Sequence, residues 1–157
     1  MLTDAQNDMR VLLLHLRPTE LENKTLQEGL QMILKELTDK SNIRVVYKDM
    51  VKKVPKRIED NLFRIAQEFI SNTLKHAKAS QIEVYLYQNS QEIQLKMLDN
   101  GVGFDLNAST DEMSYGLKNI QERVDEMAGT VQFLSAKGKG TSIDVRVPIL
   151  RGEDNVE

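Results

Sequence analysis

Apolar residues recur at helical spacing in three parts of the chain. Met9, Leu12, Leu13 and Leu16 predict a short helix over Ala5–Leu16, which Arg17-Pro18 ends because proline disfavours helical backbone in the residue before it. Leu26, Leu30, Ile33, Leu34 and Leu37 form the stripe of a second helix. Thr25 stands at its N-cap with Glu28 at capping-box spacing, and the pattern runs out near Lys40-Ser41-Asn42. The longest helix, about Lys56–Ala77, starts behind Pro55 and should bury Ile58, Leu62, Ile65, Ala66, Phe69 and Ile70. Elsewhere the pattern shortens to strands: Ile43–Asp49, then Ile82–Asn89 and Ile93–Leu98 around a polar turn at Gln88–Glu92. The stretch Asp105–Ser114 is polar and aperiodic and reads as a loop before a helix from about Gly116 to Met127, which Gly129 ends. Thr130–Ser135 and Ser142–Pro148 read as strands on either side of Lys137-Gly138-Lys139-Gly140, with a polar tail from Arg151. Helices come early and strands mostly late, some joined by hairpins. This order predicts a two-layer α+β sandwich rather than a doubly wound parallel sheet.

Composition narrows the picture without naming a chemistry. A chain of 157 residues suits one core, and 40% hydrophobic with 29% charged residues fits neither a disordered nor a membrane-embedded class. A net charge of -3 gives no global case for binding nucleic acid or an acidic membrane, so any anion site must be local. The absence of cysteine excludes a disulfide framework and thiolate metal sites, and two histidines are too few for a zinc cluster. The start MLTDAQNDMR lacks a signal-peptide pattern, and runs such as Val11–Leu14 fall short of the ~20 apolar residues that span a bilayer. A reducing cytoplasmic location and no membrane contact by this piece are expected.

Four constellations could carry chemistry. On the longest helix Glu68, Asn72 and Lys75 fall at i, i+4 and i+7, which places a carboxylate, an amide and an ammonium group on one face with His76 beside them. Such a set suits a Mg-nucleotide, the oxygens toward Mg²⁺ and the lysine toward phosphate, though a solvated helix face has the same look. Asp99-Asn100-Gly101-Val102-Gly103-Phe104 follows a strand: its carboxylate can accept from an exocyclic amine such as that of adenine and its glycines allow close backbone approach, but Asn-Gly is also a common turn. Tyr115-Gly116-Leu117-Lys118-Asn119 opens the predicted last helix, whose free amides and dipole would face phosphate. Gly138-Lys139-Gly140-Thr141 lies between strands and is no Walker A loop, since no helix opens after a Gly-Lys-Ser/Thr sequence.

In order and interval these four segments resemble the N, G1, G2 and G3 boxes of the GHKL ATPases, and within them the sensor histidine kinases. Glu68–Ala77 looks like the N box, Asp99–Gly103 the G1 box, Tyr115–Asn119 the G2 box and Gly138–Thr141 the G3 box. The resemblance covers about residues 25–150. It implies the Bergerat fold, with helices on one face of a mixed sheet and ATP between the long helix and a lid. By that resemblance Asn72 coordinates Mg²⁺, Lys75 meets phosphate and Asp99 binds the adenine amine, while Glu68 aligns or deprotonates the nucleophile. His76 packs near the nucleotide, and Gly101, Gly103, Gly116, Leu117, Lys118, Gly138, Gly140 and Thr141 shape the pocket. Phe104–Tyr115 forms a short ATP lid.

The stretch Val11–Pro18 is similar to the end of the second dimerisation helix in kinases of the NarL/DesK branch, and the run through Leu30 to the LiaS/VraS group of cell-envelope stress sensors. The resemblance implies three parts: residues 1–18 from a dimerisation helix, 19–150 as the catalytic ATP-binding domain and 151–157 as a polar tail. Such kinases carry a phosphoacceptor histidine followed closely by an acidic residue, and His15 does not match that context. The chain is therefore expected to be the catalytic half of a membrane-bound bacterial kinase that is homodimeric when whole. It would phosphorylate a histidine on the dimerisation domain and signal to a response regulator. Another GHKL class, a hydrolytic ATPase or an anti-sigma-type serine kinase, is the alternative that a carboxylate at Glu68 leaves open, and an interaction module with a vestigial pocket is a third reading.

Overall fold

A computed structural model describes residues 23–106 and 111–150. The predicted helix Ala5–Leu16, its stop at Arg17-Pro18, the centre of the predicted lid and the tail from Arg151 lie outside the described residues. The elements are α1 (Leu26–Lys40), β1 (Arg44–Met50), α2 (Lys56–Asn72) continued by a π-helical turn at Thr73–Ala77, β2 (Gln81–Gln88), β3 (Glu92–Asp99), α3 (Asp111–Glu126), β4 (Thr130–Ser135) and β5 (Thr141–Pro148).

The five strands form one mixed sheet in the order β1-β2-β3-β5-β4, in which only the β1–β2 pair is parallel. That pair needs a crossover, and α2 supplies it. Strand alternation puts Ile82, Val84, Leu86, Ile93, Leu95, Met97, Ile143, Val145 and Val147 on one face, all buried beneath the helices. On the opposite face Glu83, Tyr85, Tyr87, Gln94 and Lys96 remain partly exposed, with the Tyr85 and Tyr87 rings stacked at 6.1 Å. The architecture is the expected two-layer α+β sandwich, with a single core cluster drawn from both layers.

The predicted stripes of α1 and α2 are the buried ones: Leu26, Leu30, Ile33, Leu34 and Leu37 on α1, and Ile58, Leu62, Ile65, Ala66, Phe69 and Ile70 on α2. Thr25 and Glu28 close the capping box reciprocally, and the amide of Leu26 donates to Glu59 Oε2 at 2.7 Å, tying the start of α1 to α2. Asn89 Oδ1 accepts from the amides of Gln91 and Glu92 and shapes the β2–β3 turn.

Two boundaries differ from expectation in ways that matter to function. The last helix begins at Asp111, five residues before Gly116. Gly116 therefore sits within the helix, where amides are taken by the i→i−4 ladder, and it does not offer the free N–H groups predicted for it. The long helix stays α-helical only to Asn72; its last turn, Thr73–Ala77, is π-helical and ends at Lys78, whose φ of 50° turns the chain away.

Candidate functional site

The π turn decides which side chains reach the cleft. A π turn advances each residue by less than an α-helix does, so side chains beyond Asn72 leave the stripe that ideal spacing assigns them. Asn72, Thr73, His76 and Ala77 line a cavity between α2, α3 and the ends of β3 and β5. Lys75, expected on the same narrow face as Glu68 and Asn72, is exposed and lies outside the cavity wall. The apolar wall comes from Phe69, Phe104, Leu117, Ile120 and Ile143. Such a lining with a few fixed polar groups suits a flat heteroaromatic ring.

Asp99 is the fixed polar group at the base of this cavity. It is the last residue of β3 and 8% exposed. Its Oδ1 accepts from the amides of Gly101 at 2.9 Å and Thr141 at 3.2 Å, and its Oδ2 from the hydroxyl of Thr73 at 3.0 Å. A carboxylate has about four acceptor positions, so three donors hold its orientation and leave capacity for one more, which an exocyclic amine can supply. Thr73 is a site residue that the sequence reading missed, although it directly follows Asn72; it is 2% exposed.

The glycines act by their lack of a side chain. A Cβ on Gly101 would stand 2.2 Å from the Ala77 carbonyl oxygen, and one on Gly140, whose φ is +72°, 2.2 Å from the carbonyl oxygen of Asp99. These contacts press the segments after β3 and before β5 onto the end of α2 and onto Asp99. Val102 N donates to Ala77 O at 2.7 Å, and Gly138 N to Val102 O at 2.6 Å. Gly103 lines the cavity, whereas Gly138 sits on an exposed turn, and a methyl group there would meet nothing within 4 Å. Asn100 faces away from the cavity wall: its Oδ1 accepts from the amides of Ser80 and Gln81 and so fixes the start of β2.

Gly116 faces the polar end of the site. A Cβ there would lie 3.2 Å from Asn72 Nδ2, 3.3 Å from Glu68 Oε2 and 3.4 Å from Asn72 Oδ1. The missing side chain keeps open the space over a carboxylate and an amide, both half-buried. These are hard oxygen donors of the kind Mg²⁺ takes. Among the described residues no three acidic or histidine side chains converge on a metal site, so a cation at Glu68 and Asn72 would draw its other ligands from phosphate and water, as Mg²⁺ ordinarily does. Lys118 is exposed on α3 outside the cavity wall, and Leu117 and Thr141 line it.

Comparison with known proteins agrees with this geometry. The profile of the "Histidine kinase-, DNA gyrase B-, and HSP90-like ATPase" family matches residues 57–151. The chain is 44% identical over 150 residues to the sensor histidine kinase LiaS of Bacillus subtilis, covering 96% of this chain and 41% of LiaS. It is 42% identical over 157 residues to the sensor protein VraS of Staphylococcus saprophyticus, covering all of this chain and 45% of VraS. It thus spans less than half the length of these curated relatives. Among solved structures, a histidine kinase domain from a blue-light activated kinase of Erythrobacter litoralis superposes with a TM-score of 0.64 at 17% identity, over 83% of this chain and 64% of that one. The histidine kinase AdeS of Acinetobacter baumannii does so with a TM-score of 0.57 at 19% identity, over 79% of this chain and 64% of that one. The fold, the cavity built around Asp99 and the profile match together place the chain in the histidine kinase-, DNA gyrase B- and HSP90-like ATPase family.

Proposed function

We propose that this domain binds Mg-ATP in the cavity above Asp99 and delivers the γ-phosphate to a histidine on the dimerisation domain of a parent sensor kinase. The observation that carries the reading is the Asp99 carboxylate: buried, aimed by three donors and set at the base of an apolar slot. That arrangement accepts the adenine amine and rejects a carbonyl in its place, because an ionised carboxylate has no hydrogen to donate. The ring lies against Phe104, Leu117 and Ile143. The polyphosphate then runs toward Asn72, Glu68 and the lysines Lys75 and Lys118.

Asn72 would hold Mg²⁺, with Glu68 close by; when bound, the ion neutralises charge on the phosphate oxygens. Lys75 and Lys118 supply cations at the rim as charge moves to the leaving ADP. Glu68 orients the attacking imidazole nitrogen or accepts its proton while the bond from the γ-phosphorus to the bridging oxygen breaks. Positioning and charge neutralisation account for the catalysis, since phosphoryl transfer asks for little covalent help from the protein. The parent is a homodimeric kinase of the bacterial membrane with this domain on the cytoplasmic side, acting on a response regulator. Likeness to LiaS and VraS supports that setting, and no helix among the described residues is long and apolar enough to cross a membrane.

Titration calorimetry with Mg-ATP tests binding, and radiolabelled transfer to a separately supplied dimerisation domain tests the chemistry. The expected product carries an acid-labile phosphohistidine. Absence of Mg-ATP binding overturns the reading; steady hydrolysis without transfer, abolished by Glu68→Ala, replaces it with a hydrolytic ATPase.

A further inference from the structure

Ser135 ends β4 and lines no part of the cavity, yet three groups at the cavity's edge converge on its hydroxyl. The amide of Phe104 donates to Oγ at 2.9 Å, Thr141 Oγ1 stands at 2.8 Å and the Gly140 carbonyl oxygen at 3.1 Å. A hydroxyl has one hydrogen and two acceptor positions. It therefore takes the Phe104 amide as acceptor and directs its hydrogen to Gly140 or Thr141. Phe104 and Thr141 are two walls of the slot, on separate segments, and the amide of Thr141 is also one of the three donors to Asp99. One short side chain thus ties the wall that packs on a base to the residue that aims the base-reading carboxylate.

Backbone contacts already join these segments at Val102–Gly138, and Gly103 lies so close to Ala136 that a Cβ would stand 2.0 Å from its carbonyl oxygen. Those contacts fix the chain before Phe104. The serine fixes the amide of Phe104 itself.

We propose that Ser135 is a positioning residue for nucleotide affinity, holding the Phe104 backbone and Thr141 at the spacing that a purine ring requires without touching the ring. The inference rests on the nucleotide reading of the cavity. Loss of a part-buried hydrogen-bond node of this kind weakens binding about tenfold.

The test compares the wild-type chain with Ser135→Ala and Ser135→Thr, measuring Mg-ATP affinity, dissociation rate and amide hydrogen exchange. Ser135→Ala should bind Mg-ATP about tenfold more weakly through faster dissociation. Exchange at the Phe104 amide should rise while the core amides of Val84 and Val145 keep wild-type protection, which separates lost positioning from general loosening. Ser135→Thr, which keeps the hydroxyl, should restore affinity and Phe104 protection. Wild-type binding with unchanged affinity and dissociation in Ser135→Ala overturns the proposal alone, as does a Ser135→Thr chain as weak as Ser135→Ala. Failure of the wild-type chain to bind Mg-ATP overturns the nucleotide reading and the proposal with it.

Discussion

Asp99 and Glu59 are two inward-facing carboxylates at different places on the same scaffold, and both accept hydrogen bonds from backbone amides across a tertiary gap. Glu59 lies in the first turn of α2, takes the amide of Leu26 at 2.7 Å and has Lys56 Nζ at 3.8 Å. Burial pushes its carboxyl above the ordinary range, opposed by the Leu26 hydrogen bond and the charge of Lys56. Asp99 is held by two backbone amides and a hydroxyl, and faces an apolar cavity. The difference separates a carboxylate that ties two helices together from the one proposed to read the nucleotide base. Glu59 joins two helices beside a lysine-lined surface groove, whereas Asp99 is oriented by three donors and turns its remaining acceptor position toward an apolar cavity.

The strongest test of that distinction is Asp99→Asn against Glu59→Gln. Asp99→Asn should weaken Mg-ATP binding about 100-fold, on the order of 3 kcal/mol, because a charge-assisted hydrogen bond is lost. Glu59→Gln should leave affinity within about twofold of wild type, since its amide oxygen still accepts from Leu26 and it is remote from the cavity. Calorimetry on both decides it, and equal losses would erase the contrast.

Next come two glycines of the turn between β4 and β5, of which Gly140 alone packs on Asp99. Gly140→Ala would drive a methyl into the Asp99 carbonyl oxygen at a positive φ, and should cost about 2–4 kcal/mol of folding stability as well as binding. Gly138→Ala carries only the left-handed backbone cost, about 1 kcal/mol, because nothing stands within 4 Å of the new methyl. Denaturant unfolding of the two variants measures the gap.

A smaller and oppositely signed pair concerns pH. Glu59 titrates above its ordinary value when folded, so its charge costs stability near neutrality and the cost fades as pH falls toward and through that raised value. Glu28 titrates below its ordinary value, chiefly through the Thr25 backbone hydrogen bond, so its stabilisation is present above the ordinary value and is lost as pH falls through the lowered one. Chemical denaturation across acidic pH should show Glu59→Gln differing from wild type in slope above pH 4.5 and Glu28→Gln below it. The smallest effect belongs to a position remote from both carboxylates in sequence: Ala128, just past α3, has φ 56°, and Ala128→Gly should raise stability by about 0.5 kcal/mol. The same denaturant unfolding measures it.

What was legible in the sequence depended on periodicity. The stripes of α1 and α2, the Thr25–Glu28 capping box and the alternation of β2, β3 and β5 are repeated signals, each residue confirming the next. Asp99 was legible because a carboxylate followed by two near glycines has few ordinary roles at a strand end. Thr73 and Ser135 were not, because a small hydroxyl residue carries no pattern and acquires its role from what folds against it. Gly116 was found for a different reason from the one the structure supports: it stands where a side chain would crowd Glu68 and Asn72, and its position in a helix became visible only once the helix was seen to start at Asp111. The π turn at Thr73–Ala77 was not legible, since ideal helical spacing cannot anticipate it.

The parallel pairing of β1 with β2 has a kinetic consequence. The segment that crosses between them is the helix bearing the nucleotide groups, so docking β1 against β2 closes a loop of some thirty residues with the binding helix inside it. Non-local pairing of that kind is slow to nucleate, and the pocket also requires β5, which pairs with β3 across the intervening α3 and β4. Ligand therefore recognises only the folded domain: saturating nucleotide should lengthen the native state's lifetime while leaving the rate of refolding nearly untouched.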